Sequence, residues 1–135
     1  MKSKKIILDT NLWISFLISN NLHQLNKLIK NKKIILIFSD ELIEEFIDVV
    51  RSPKFKKYFQ KSDIEKMLKY FDQYGEIAKV ASNIQICRDK KDNFLLNLSI
   101  DSKAYFLITG DNDLLVLQKI KHTQIITFSD FIEQS

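Results

Sequence analysis

A three-layer α/β/α fold around a central, mainly parallel sheet is what this sequence predicts, and two patterns predict it. Short runs of branched apolar residues recur along the chain, of the kind buried on both faces of a parallel sheet. Between them lie segments with apolar residues at helical spacing, the alternation that builds right-handed strand–helix–strand units. Only two Gly and one Pro occur in 135 residues, so the elements must follow one another closely. The length suits one domain over residues 1–135, with a core of useful size.

Taken in order, Ile6, Ile7 and Leu8, bounded by Lys5 and Asp9, form the first buried strand, and Leu12 to Ile18 suits a helix. Leu22, Leu25, Leu28 and Ile29 predict a second helix ending near Asn31. Lys33 to Phe38 is the second strand, and Ser39 or Asp40 can cap the helix carrying Leu42, Ile43, Phe46, Ile47 and Val50. Ser52 and Pro53 end that helix, and Lys54 to Gln60 is a basic, aromatic connector. Ser62 and Asp63 are expected to cap a helix with Ile64, Met67, Leu68 and Phe71 on one face, stopping near Gly75. Glu76 to Arg88 reads as a helix end followed by a short strand, and Asp92 to Lys103 as a helix. Tyr105 to Thr109 is a third strong strand, closed by Gly110, Asp111, Asn112 and Asp113. Leu114 to Ile120 is expected to be a helix, Gln124 to Thr127 a strand, and Ser129 to Glu133 a last helical turn.

Composition narrows the setting. The chain is 45% hydrophobic with ten Phe, which argues against disorder. Its single Cys87 cannot form an internal disulfide and points to a reducing, cytoplasmic environment. The basic start at Lys2, Lys4 and Lys5 meets Asp9 too soon for a signal peptide, and no apolar run approaches the ~20 residues of a membrane span. The net charge is +4, carried mainly by Lys, with clusters at Lys27/Lys30/Lys32/Lys33 and Lys54/Lys56/Lys57/Lys61. Such clusters are either solvated surface or a phosphate-binding face for nucleic acid. Charge alone does not choose between these.

The acids carry more information. Asp9 ends the first strand, where a carboxylate is poorly solvated unless a positive group binds it. Asp111 and Asp113 follow the Tyr105–Thr109 strand, and Asp92 opens a helix that begins at the same sheet edge. On the helix after the second strand, Glu44 and Glu45 both border the apolar face, and periodicity leaves the choice open. Singly, each acid has an ordinary explanation, in that Asp92 favours a helix N-terminus, Asp111 and Asp113 form a turn, and Glu45 is solvated. Jointly they converge on one edge and repel, which calls for a counter-ion. With no Cys or His in the set, Mg²⁺ or Mn²⁺ suits it.

The same stretches carry a family resemblance. Ile6 to Asn11, Ser39 to Phe46, Arg51 to Phe55, Asp89 to Leu95, Ala104 to Leu115 and Ile126 to Phe131 resemble, in order and over nearly the whole chain, a PIN-domain ribonuclease. The resemblance is to the branch assigned as toxin components of toxin–antitoxin systems, similar to virulence-associated protein C type toxins. It implies a PIN-like fold and places the catalytic, metal-binding acids on Asp9, Glu45, Asp92 and Asp111, with Asp113 auxiliary to the metal. It selects Glu45 over Glu44, and it gives Asn11, Ser39 and Thr109 as polar residues steadying the site. One departure is Lys90 after Asp89, where relatives often have Pro; Asp89 stays outside the metal set.

The implied reaction is Mg²⁺- or Mn²⁺-dependent hydrolysis of RNA phosphodiesters, leaving 3′-hydroxyl and 5′-phosphate ends. A divalent cation lowers the pKa of water, so no catalytic His is needed, and His23 and His122 are expected at the surface. Lys54, Lys56 and Lys57, with Arg51 or Arg88, would hold the RNA backbone. The resemblance further implies a small antitoxin protein as partner, a homodimer, and no membrane. Two other readings compete. A haloacid dehalogenase-type phosphatase also starts with a strand ending in Asp, but it needs a second acid where this chain has Asn11. A non-catalytic PIN-like module binding RNA or protein would not need the intact acid set.

Overall fold

The computed structural model describes residues 4–19, 27, 34–87 and 89–134. A six-stranded sheet forms its centre, in the order β3-β2-β1-β4-β6-β5. Strand β1 (Lys4–Leu8) is followed by α1 (Thr10–Ser19), β2 (Ile34–Phe38) by α2 (Asp40–Val50), and a 3₁₀ turn at Lys56–Tyr58 leads to α3 (Lys61–Tyr74). Strand β3 (Gly75–Ile77) is then connected to α4 (Lys90–Ser102), β4 (Phe106–Ile108), the short α5 (Asn112–Leu115), β5 (Lys119–Ile120), β6 (Thr123–Ile126) and α6 (Phe128–Gln134). Every pairing is parallel except β5 with β6. The expected helix over residues 22–31 lies, apart from Lys27, outside the described residues, as do His23, Arg88 and the lysines at 30, 32 and 33.

Ile6, Ile7 and Leu8 are buried in succession, as strand β1 must be when both faces of the sheet are covered. From β1 the chain moves outward through β2 and β3 on one side, then crosses back to β4 on the other. Right-handed crossovers therefore put α4 on the opposite face from α1, α2 and α3. On the first face, Trp13 of α1 stacks on Phe38 with ring centroids 5.8 Å apart and meets Phe71 of α3 edge-on at 4.9 Å. Phe46 of α2 completes the group, 5.2 Å from Phe71. Large rings from three helices and a strand end thus pack this face of the sheet.

Gly75 joins α3 to β3 where the chain lies against the Phe38 ring. A Cβ there would lie 2.5 Å from the Phe38 ring and 2.7 Å from the Phe71 carbonyl oxygen. Both neighbours are fixed, because Phe38 and Phe71 are buried in the aromatic group. Gly75→Ala is accordingly expected to cost about 1–3 kcal/mol by overpacking, read as a lowered denaturant midpoint with an unchanged slope.

Three expectations from the sequence need correcting. The helix expected over Leu114–Ile120 stops at Leu115, and Lys119–Ile120 is instead a strand paired antiparallel with β6. The reversal uses positive φ at Gln118 (63°) and Lys121 (52°), with no Gly or Asn to signal it. Helix α3 begins two residues early: Gln60 is its N-cap, and Asp63 closes a capping box by accepting the Gln60 N–H at 2.9 Å rather than acting as the cap. Finally, no helix continues past Tyr74, because Gly75–Ile77 pairs with β2 as a strand.

From residue 78 the chain runs outside the sheet, yet its backbone is not left to solvent. Asp101, Asn97 and Asn93 stand four residues apart along α4 and hold it. Asp101 accepts from Ala81 N–H, Ser82 N–H and the Ser82 hydroxyl. Asn97 accepts from Ile84 N–H at 2.7 Å and donates to Ile84 O at 3.2 Å. Asn93 does the same for Cys87, at 2.8 and 2.7 Å. Side chains of a helix thereby satisfy backbone groups that a neighbouring strand would normally satisfy.

Candidate metal centre

The site forms where β1 and β4 lie side by side and the connections leave in opposite directions, the switch point of an open parallel sheet. Asp9 ends β1 and starts α1. Its carbonyl accepts from Leu12 and Trp13 N–H at 3.0 and 3.3 Å, and its carboxylate accepts the Asn11 backbone N–H. Thr109, at the end of β4, donates its hydroxyl to Asp9 Oδ2 at 2.9 Å and accepts the Asp111 N–H at 3.1 Å. One fully buried hydroxyl thus ties the ends of two adjacent strands together.

Asp111 Oδ1 caps the short α5 by accepting the Asp113 N–H at 2.9 Å. This turn brings Asp113 alongside Asp111, and the first turn of α4 brings Asp92 to meet them. Carboxylate oxygens of Asp92, Asp111 and Asp113 lie within 4.8 Å of one another. Asp92 is only 4% exposed although it lies in the first turn of a helix, where an acid is ordinarily solvated.

The electrostatics follow from this crowding. Burial, then the charges of Asp111 and Asp89 and a side-chain hydrogen bond with Asp111, push the Asp92 carboxyl up to about 6. Burial raises that of Asp9 as well, partly offset by the Thr109 and Asn11 hydrogen bonds; Glu45 and Asp111 add to the rise. The charge of half-buried Glu45 therefore reaches Asp9, while Glu44 is exposed. Ser39 is fully buried and caps α2 by accepting Leu42 N–H at 3.1 Å, which sets the helix that carries Glu45. The donors that meet are all carboxylate oxygens, hard ligands suited to a divalent cation such as Mg²⁺ or Mn²⁺. A cation would also relieve the repulsion that raises Asp92. The donor set fits such an ion.

Other residues singled out in the sequence lie elsewhere. Lys54, Lys56 and Lys57 are exposed beyond the far end of α2, with Lys54 Nζ 5.2 Å from the Phe55 ring centroid and Lys57 Nζ 5.2 Å from that of Tyr58. His122 is exposed in the β5–β6 turn. Cys87 was not among the candidates. Its half-buried thiol is raised by burial and by the charges of Asp92, Asp113, Asp111 and Asp89, so it sits beside the acids. A lone Cys in a stretch without motif or periodicity offers no sequence signal of that placement.

An open parallel α/β sheet with an acidic pocket at its switch point defines the class of protein. The chain belongs to the PIN domain family, whose family model matches residues 5–113. It is 35% identical to an uncharacterized protein of Methanocaldococcus jannaschii over an aligned span of 141 residues, covering 96% of this chain and 90% of that protein. Its fold is similar to that of VapBC2 from Rickettsia felis bound to a DNA fragment from their promoter. The TM-score is 0.60 at 16% identity, covering 92% of this chain and 98% of the other. It is similar also to PAE2754 from Pyrobaculum aerophilum, with a TM-score of 0.60 at 15% identity over 97% and 88% of the two chains. Among the described residues, no helix is long and apolar enough to cross a membrane.

Proposed function

We propose that the chain is a metal-dependent ribonuclease and the toxin of a toxin–antitoxin pair. The observation that carries this reading is the meeting of Asp92, Asp111 and Asp113 within 4.8 Å at the switch point of the sheet. Membership of the PIN domain family supports nuclease chemistry, and the likeness of fold to VapBC2 supports an antitoxin protein as partner. Asp9, Glu45, Asp92 and Asp111 would hold Mg²⁺ or Mn²⁺ as the catalytic acids, with Asp113 auxiliary to the metal. When bound, the cation supplies a nucleophile from water near neutral pH and stabilises charge on the phosphate oxygens. The chain's own part is positional. Thr109 fixes Asp9 against Asp111, Ser39 fixes the helix of Glu45, and the first turn of α4 holds the buried Asp92 carboxyl against Asp111. Lys54, Lys56 and Lys57 would attract RNA phosphates, and exposed Tyr58 beside them offers a face for a base.

The test is hydrolysis of single-stranded RNA with Mn²⁺ and with chelator, using para-nitrophenyl phosphate as control. Cleavage of RNA alone, only with metal, is expected. Turnover of the phosphomonoester would select a phosphatase, and no hydrolysis of either substrate would select a binding module. Inducing the chain in cells is expected to slow growth, and Asp9→Asn is expected not to. For the lysines, replacing Lys54, Lys56 and Lys57 together should weaken binding to every RNA sequence and make the logarithmic salt dependence shallower by roughly 2. An unchanged salt slope would show that these lysines are solvated surface.

A further inference from the structure

Along the N-terminal half of α4 lies an open groove of about 480 Å³. The held segment from residue 80 to 87 forms one wall, and Lys90, Asn93, Phe94 and Asn97 of α4 form the other. Two kinds of amide line it. Asn93 and Asn97 are spent on the backbone of Cys87 and Ile84. Asn83 and Gln85 are exposed, and their side-chain amides are committed to no hydrogen bond among the described residues. Val80, Ile84 and Phe94 add half-buried apolar surface between them, and among the described residues the one charged lining residue, Lys90, is a cation. Uncommitted amides in one lining with an aromatic ring and a cation match an unpaired nucleotide: polar edge, flat apolar face and phosphate. One end of the groove is one residue from Asp92, since Asn93 lines it, and Cys87 at that same end feels the charges of the acids.

We propose that this groove is a nucleobase subsite, which receives an unpaired base of the RNA flanking the cleaved bond and reads its edge through Asn83 and Gln85. This rests on the ribonuclease reading, and the test separates the two. Binding is measured by competition in chelator, with the full chain and fluorescent hexamers of A, C, G and U; cleavage with Mn²⁺ is measured apart. The wild type should favour one base over the poorest by roughly tenfold, the scale of one well-made amide–base pair. Asn83→Ala with Gln85→Ala should bring the four within about twofold of one another while the melting temperature stays unchanged. Gln85→Ala alone should narrow the preference in part, and it serves if the double variant folds poorly. Equal affinities for the four hexamers in the wild type would overturn the proposal, as would a preference that survives both substitutions. Failure to cleave RNA, with base preference present and lost in the variant, would overturn the nuclease reading and leave the subsite standing.

Discussion

Asp111→Asn is expected to lower Mn²⁺-dependent RNA cleavage by roughly three orders of magnitude, about 4 kcal/mol of transition-state stabilisation. The substitution keeps the shape of the side chain, removes its charge and replaces one carboxylate oxygen by an amide NH₂. An Asn keeps a side-chain oxygen to cap α5 through the Asp113 N–H, and the Thr109 hydroxyl still accepts the backbone N–H of position 111. It also removes the largest of the neighbouring charges that raise Asp92. The metal-free variant should therefore melt no lower than the wild type, yet gain little from Mn²⁺. Glu45→Gln should likewise lose cleavage and the Mn²⁺ shift, whereas Glu44→Gln, at an exposed position, should keep both. Cleavage time courses, with melts in Mn²⁺ and in chelator, measure all of this. Wild-type cleavage by Asp111→Asn would sink the assignment.

The second large effect is a loss of stability as pH rises in chelator. Asp92 is raised in the folded protein from an ordinary value of 3.8 to about 6, so the native state holds its proton more tightly than the unfolded chain does. Its contribution is fully present below about pH 4 and is lost as pH rises through 6, a change on the order of 3 kcal/mol. Asp9, also raised, acts in the same direction. Asp101 acts oppositely: its hydrogen bonds from Ser82 lower it, so its contribution fails only as pH falls below the ordinary carboxylate range. Metal-free stability should thus peak between about pH 4 and 5 and decline towards neutrality. Asp92→Asn should flatten that decline. Mn²⁺ should oppose it, adding about 2.7 kcal/mol at one hundred times its dissociation constant. Chemical denaturation at several pH values reads each arm, and a chelated protein most stable at pH 7 would refute the placement of Asp92.

Which of these features could be read before folding depends on whether their cause is local. The strands β1, β2 and β4 were legible because burial on both faces demands uninterrupted apolar residues such as Ile6 to Leu8. The meeting of Asp92 with Asp111 was legible too, since strand ends and helix starts share an edge in a parallel sheet. Glu45 was not separable from Glu44 by periodicity, because both border the apolar face, and the family resemblance made that choice. The β5–β6 hairpin was hidden because Gln118 and Lys121 take positive φ without the residues that normally signal it. The path from residue 78 to 87 was hidden for another reason. Its order comes from Asn93, Asn97 and Asp101, whose spacing on a helix means nothing until the strand-like segment lies against them.

That hydrogen-bonded ladder makes the segment length-locked. Each step of four residues along α4 advances about 6 Å, within reach of two or three residues of the facing segment, and each rung holds one particular peptide group, so the partners are paired at this count. An ordinary surface connection absorbs an added residue at little cost. Here one insertion between Ser82 and Cys87 would set Asn97 or Asn93 against the wrong peptide groups, stranding two backbone partners at each rung. The penalty would reach the acidic pocket, because Asn93 is the residue after Asp92. The crossover between β3 and α4 therefore behaves as a ruler, and its length is part of how the first turn of α4 is aimed.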